Sequence, residues 1–171
     1  MKKNICIVTG SRSEYGLLKN VIKEVRNSDS LNPKIIVTGT HLSKKFGNTI
    51  KYIHKDGFKV DSKLKILKNS DTSHSTCMAI ANAISKISLY LNKNKTHIIL
   101  ILGDRFEVFS CAVAALINRI PIAHIHGGEL TYGLIDDSLR HAITKMSKFH
   151  FVSNIEYKKR IIQLGENKKN I

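Results

Sequence analysis

The chain has 171 residues, enough for one domain with a real core and no need of disulfide staples. Hydrophobic residues make up 42%, ordinary for a globular protein, whereas the formal charge of +15 is high and suggests an anionic partner. The lysines are spread along the chain (2–3, 44–45, 63–68, 93–95, 158–159, 168–169), with few aromatics among them and no recognition motif, so they read as solvated faces and nucleic-acid binding is not expected.

Met1–Asn4 leads directly into a short apolar strand, too short for the core of a signal peptide. No apolar run approaches membrane-spanning length, so a cytoplasmic chain without membrane contact is expected. Cys6, Cys77 and Cys111 are odd in number and widely spaced in apolar or helical contexts, which predicts buried, reduced thiols rather than disulfides or a zinc site.

In chain order, Ile5–Thr9 reads as a buried strand, Gly10–Tyr15 as a glycine turn, and about 14–26 as a helix with Leu17, Leu18, Val21, Ile22 and Val25 inward. Pro33 introduces a second strand, 35–37, and Thr38–His41 its terminal loop. Residues 43–55 are expected to be helical and 58–64 to alternate as a strand. Asp71-Thr72-Ser73 signals the N-cap of a long helix over 75–91. There follow a strand to Leu102, a helix through Phe106, Val113 and Leu116, a strand at 120–125, a helix near 136–147, a strand at 149–153 and a closing helix at 154–164. Strands apolar on both faces and separated by helices predict a doubly wound, mostly parallel, Rossmann-like α/β domain over 1–165, with 166–171 as a polar tail or the start of a linker.

Charge gathers where strands end, which in open parallel sheets is the ligand-binding edge. Gly10 opens a turn at a helix N-terminus whose N–H groups suit an anion, and Arg12 adds a fork suited to phosphate. The loop is neither a Walker A nor a G-x-G-x-x-G sequence. Asp104 follows Gly103 and stands beside Arg105 and Glu107, either as a helix cap or as a functional acid. His124 and His126 are two apart on a strand and share a face, so with Glu129 they form either a metal pair or one core and one ligand-facing imidazole. Gly127 and Gly128 permit close approach of a ligand or simply a turn. Asp136, Asp137, Arg140, His141 and Lys145 recur at helical spacing, allowing surface pairs such as Asp136/Arg140 and Asp137/His141.

Thr9-Gly-Ser-Arg-Ser-Glu-Tyr-Gly-Leu17, Gly103-Asp-Arg-Phe-Glu107, His124-Ile-His-Gly-Gly-Glu-Leu-Thr131 and Ile135-Asp-Asp-Ser-Leu-Arg-His-Ala-Ile-Thr-Lys145 together resemble the hydrolysing UDP-N-acetylglucosamine 2-epimerases of sialic-acid and related nonulosonic-acid synthesis. The resemblance implies one half of a two-domain GT-B enzyme that eliminates UDP across C1 and C2 of a UDP-sugar and hydrates the resulting glycal. It implies that Asp104, Asp136 and Asp137 match the family's acids and that Arg12 and Arg105 lie near the diphosphate or sugar, with Gly10, Gly127, Gly128, Arg140 and His141 as further substrate contacts. Relatives often carry a catalytic glutamate where this chain has His126, so that acid/base role falls to His126 or to Glu129. No cofactor is implied, self-association is expected, and both N-acetylglucosamine and a diacetamido-trideoxy sugar remain open as substrates. Because relatives run on into a second half, the isolated chain is expected to be inactive. Two other readings stay open: a metal-dependent hydrolase built on His124, His126 and Glu129, and a non-catalytic subunit that docks a partner half.

Overall fold

A computed structural model describes residues 1–67, 72–133 and 135–171. Asp71 of the expected cap signal lies outside the described residues, and Thr72 is the N-cap, its side chain accepting the Ser75 N–H at 3.2 Å. Six strands, β1 (Lys3–Thr9), β2 (Leu31–Thr38), β3 (Val60–Leu64), β4 (Ile98–Leu102), β5 (Ile122–Ile125) and β6 (Phe149–Phe151), form one parallel sheet in the order β3-β2-β1-β4-β5-β6. The helices are α1 (Arg12–Asn27), α2 (Ile50–Lys55), α3 (Ser73–Lys93), α4 (Phe106–Ile117), α5 (Ile135–Met146) and α6 (Ile155–Gln163).

Alternation within each central strand feeds two cores, one on each face of the sheet. Cys6, Val8, Ile99 and Ile101 pack with α3, α4 and Ile143 of α5. Ile5, Ile7, Leu100 and Leu102 pack on the opposite face with Tyr15, Leu18 and Ile22 of α1 and Ile50 and Ile53 of α2. Chain order reverses between β1 and β4, so the loops after Thr9 and Leu102 flank the crevice where ligands bind in this architecture.

Three expectations need correction. Residues 43–55 do not form one helix: 3₁₀ turns at Gly39–Leu42 and Lys44–Phe46 end at Gly47, which has φ +79°, and only Ile50–Lys55 is α-helical. Gly47 and Asn48, both at positive φ, stop the helix. Cys77 is exposed, while Cys6 and Cys111 are buried thiols. Asp104 is not the cap of α4; Arg105 holds that position in extended conformation, with no side-chain cap bond. Among the described residues no helix is long and apolar enough to cross a membrane.

Candidate functional site

Arg140 organises the carboxyl edge on the β4–β5 side. It is 7% exposed on α5, and its guanidinium reaches away from its own helix. Nη2 donates to Asp104 Oδ2 and, at 3.1 Å, to Thr131 Oγ1; Nη1 donates to the His126 carbonyl at 2.8 Å and to Glu129 Oε2 at 3.4 Å. The helical pairing of Arg140 expected with Asp136 is therefore replaced by tertiary contacts. A long side chain at a buried helix position lowers its desolvation cost by meeting carboxylates that the strand ends already present.

The loop after β5 is tied down by the same groups. Thr131 donates its N–H to Asp137 Oδ1 at 2.9 Å and its hydroxyl to Asp104 Oδ2 at 3.3 Å. His126 has left-handed backbone, φ +65°, which turns its side chain out of the strand alternation that would have aligned it with His124. Its Nδ1 lies 2.9 Å from Glu129 Oε1, and Ser153 Oγ donates to the same oxygen at 3.3 Å.

His124 takes a different path. It is fully buried, its Nε2–H donates to the Gly103 carbonyl at 2.7 Å, and burial lowers its pKa to about 4. His124 and His126 thus do not form a His-x-His pair, and among the described residues no three His, Cys, Asp or Glu side chains group as a metal site. The tight turn demands Gly128: it has φ +76°, and a Cβ there would stand 2.5 Å from the Tyr157 carbonyl and 2.9 Å from Ile161 of α6. Gly127 is buried beside it.

A second cluster lies across the β1–β4 switch point. Gly10 does not offer a free N–H; it donates to Glu14 Oε2 at 2.7 Å. Glu14 is buried, and burial raises its pKa to about 7 despite that hydrogen bond, with Glu107 adding to the rise and Arg105 opposing it. Arg105 donates from Nε and Nη2 to Glu107 at 3.3 Å and lies 3.7 Å from Glu14. Burial works against its charge, but Glu107, Glu14 and Asp136 together hold it more firmly protonated than usual. It also lines a cleft of about 500 Å³ with Lys44, Lys65 and Thr40. Gly39, φ +56°, lets the β2 loop close over these carboxylates, since a Cβ there would be 2.7 Å from Glu107 Oε1.

The two clusters bring Asp104, Arg105, His126, Glu129, Asp137 and Arg140 to one edge, with Asp136 close enough for its charge to act on Arg105. His141 remains beside Asp137 at 3.7 Å on the helix. Arg12 is exposed and stacks over the Tyr52 ring at 4.7 Å. Glu14 and Thr131 escaped notice as individual site residues. Glu14 follows Ser11 at capping spacing and so resembles a helix-start residue, and Thr131 carries no chemical signal of its own.

Residues 23–171 match the family model described as UDP-N-acetylglucosamine 2-epimerase. The chain is 46% identical over 170 residues to the GDP/UDP-N,N'-diacetylbacillosamine 2-epimerase (hydrolyzing) of Campylobacter jejuni, covering 99% of this chain and 44% of that protein. It is 37% identical over 172 residues to the UDP-N,N'-diacetylbacillosamine 2-epimerase (hydrolyzing) of Legionella pneumophila, covering 100% and 45%. The crystal structure of UDP-GlcNAc 2-epimerase from Neisseria meningitidis bound to UDP-GlcNAc superposes with a TM-score of 0.86 at 23% identity, over 98% of this chain and 44% of that one. The shared fold is the GT-B half, and the chain spans less than half the length of these relatives.

Proposed function

Because the chain belongs to the UDP-N-acetylglucosamine 2-epimerase family, we propose that it is the N-terminal, sugar-facing half of a hydrolysing 2-epimerase acting on a UDP-linked 2-acetamido sugar. The observation that carries this reading is the convergence of Asp104, His126, Glu129 and Asp137 around the buried Arg140 at the carboxyl edge of the sheet. Removing the C2 proton while UDP leaves from C1 needs a positioned base on one side and cationic stabilisation of the departing phosphate on the other. The edge carries candidates for both: carboxylates and an imidazole beside β5, and Arg105 beside the β1–β4 crevice.

In this reading Asp104 contacts the reacting sugar while its Oδ2 is fixed by Arg140, Asp137 holds the facing loop through the Thr131 N–H, and Asp136 acts by its charge beside Arg105. Water then adds at C1 of the glycal and a proton returns to C2 from the opposite face. The diacetamido-sugar names of the two relatives support a substrate with a second acetamido group over plain N-acetylglucosamine. A second half supplies the uridine and most of the diphosphate contacts. The test is Asp104→Asn in the complete two-half protein, with UDP release and solvent-deuterium incorporation at C2 as readouts. A loss of about 10²-fold or more is expected for removal of an acid/base group, and an unchanged rate removes Asp104 from the chemistry.

A further inference from the structure

We propose that His126 and Glu129 act as a dyad in which Glu129 never handles the substrate proton: it is a positioning residue that locks His126 in the tautomer presenting Nε2 as the base. The inference rests on the 2-epimerase reading for the identity of the reaction, but its geometry stands on the chain alone.

Glu129 has no spare oxygen. Oε2 accepts from Arg140 Nη1 at 3.4 Å, and Oε1 accepts from Ser153 Oγ at 3.3 Å while lying 2.9 Å from His126 Nδ1. With Arg140, Ser153 and His126 drawn up to its two oxygens, the carboxylate is directed at protein groups rather than at the open side of the edge. It is a good acceptor for Nδ1–H, and an imidazole that donates from Nδ1 carries its lone pair on Nε2. No described residue hydrogen-bonds Nε2, and the ring is one-third exposed (33%) at the strand end. The left-handed backbone of His126 has the same sense: φ +65° is costly for a non-glycine residue and aims the ring away from the core that holds His124. Arg140 links the dyad to Asp104 through one guanidinium, so that base and acid are set relative to each other by one buried side chain.

In the elimination, the C2–H bond breaks and its electron pair forms the C1–C2 double bond. The C1–O bond breaks with its pair leaving on UDP, and the proton goes to His126 Nε2. Glu129 stabilises the imidazolium through Nδ1–H, and the proton is later lost to water.

Two measurements test the dyad. In the chain itself, ¹⁵N NMR of the histidine side chains above the titration range is expected to find His126 as the Nδ1–H tautomer. Glu129→Gln, which keeps an acceptor oxygen, retains that tautomer, and Glu129→Leu loses it; the amide spectrum verifies that each variant is folded. In the complete two-half protein, His126→Ala and Glu129→Leu are expected to lower kcat by about 10²-fold or more with KM within about threefold, and Glu129→Gln, which keeps the acceptor but not the charge facing the imidazolium, to retain a rate between those of wild type and Glu129→Leu. The double variant His126→Ala/Glu129→Leu falls no further than His126→Ala alone. Glu129→Gln as inactive as Glu129→Leu would make Glu129 the base and overturn the proposal, as would an Nε2–H tautomer in the chain. A complete protein with no 2-epimerase turnover would instead sink the functional reading, and the catalytic part of the dyad with it, whatever tautomer the NMR records.

Discussion

Replacing Arg140 with methionine removes one guanidinium and strands two carboxylates. Asp104 and Glu129 have side-chain exposures of 16% and 22%, against 8% for Arg140, so water reaches them only in part. Removing one partner of a buried ion pair costs about 3–5 kcal/mol because the other charge stays buried and unpaired. The partial exposure of both acids places the expected loss near the lower end, about 3 kcal/mol. With an m-value of about 2 kcal/mol/M for a domain of this size, the urea midpoint should fall by about 1.5 M. The chain has no tryptophan, so far-UV circular dichroism is the natural probe. The decisive control is the triple variant Arg140→Met/Asp104→Asn/Glu129→Gln. It removes the orphaned charges and should recover most of the loss, because replacing a whole buried ionic cluster is far cheaper than breaking it. A single-variant loss below about 1 kcal/mol would class these contacts with ordinary surface pairs and refute the hub.

Two further outcomes concern stability alone. Glu14 has a folded pKa of about 7 against 4.5, so the native state binds the extra proton and stability falls as pH rises from about 4.5 through 7. His41, buried with Thr9 and Thr49 on its two ring nitrogens, and His124 both have pKa values lowered from 6.5 to about 4 by burial, so their contribution is lost as pH falls from about 6.5 toward 4. Two histidines outweigh one glutamate in the overlap, so the joint contribution of these groups rises with pH to about pH 7 and is nearly flat above it; in pH-dependent urea titrations Glu14→Gln should steepen the rise between about pH 4.5 and 7, and parallel curves for variant and wild type would contradict the assignment. Gly128→Ala forces a Cβ to 2.5 Å from the Tyr157 carbonyl at φ +76°, so α6 must shift. A loss of about 2 kcal/mol or more is expected by thermal denaturation, against a gain of about 0.5–1 kcal/mol for Gly16→Ala inside α1, where a Cβ meets nothing within 4 Å and alanine is the better helix former.

The sheet was legible because β1, β4 and β5 are apolar on both faces, a pattern that a parallel sheet covered by helices requires and little else produces. The strand-end loops were legible for the same reason, since their charge interrupts those runs abruptly. Side-chain direction was not. Arg140 sits at a position whose helical spacing predicts local partners and is drawn instead to Asp104, far away in sequence, while Glu14 keeps a local partner in the Gly10 N–H but also faces the distant Arg105. Helical periodicity identifies a face but says nothing about how far a long side chain reaches once that face is buried. His126 was misaligned with His124 because strand alternation was carried one residue past the end of β5, where positive φ ends it. The helix over 43–55 failed where Gly47 and Asn48 offered the backbone a cheaper left-handed stop.

The whole-chain charge of +15 is a poor guide to this edge. Six of the thirteen acidic residues, Glu14, Asp104, Glu107, Glu129, Asp136 and Asp137, gather there. The three arginines best placed to meet a diphosphate are already engaged: Arg12 on the Tyr52 ring, Arg105 on Glu107 and Glu14, Arg140 on Asp104 and Glu129. An incoming diphosphate would therefore meet nearly balanced charge, and the long-range attraction of scattered lysines is screened within about 8 Å at physiological salt. On the proposed function, such an edge holds the sugar between acids and a base and provides little binding energy for UDP. Isothermal titration of UDP into the isolated chain should accordingly find a dissociation constant weaker than about 1 mM, no more than about 4 kcal/mol of binding. Micromolar binding by the chain alone would mean that Arg105 releases its carboxylates, or that Lys44 and Lys65 of the cleft beside it take the diphosphate, and would move the main nucleotide site into this half.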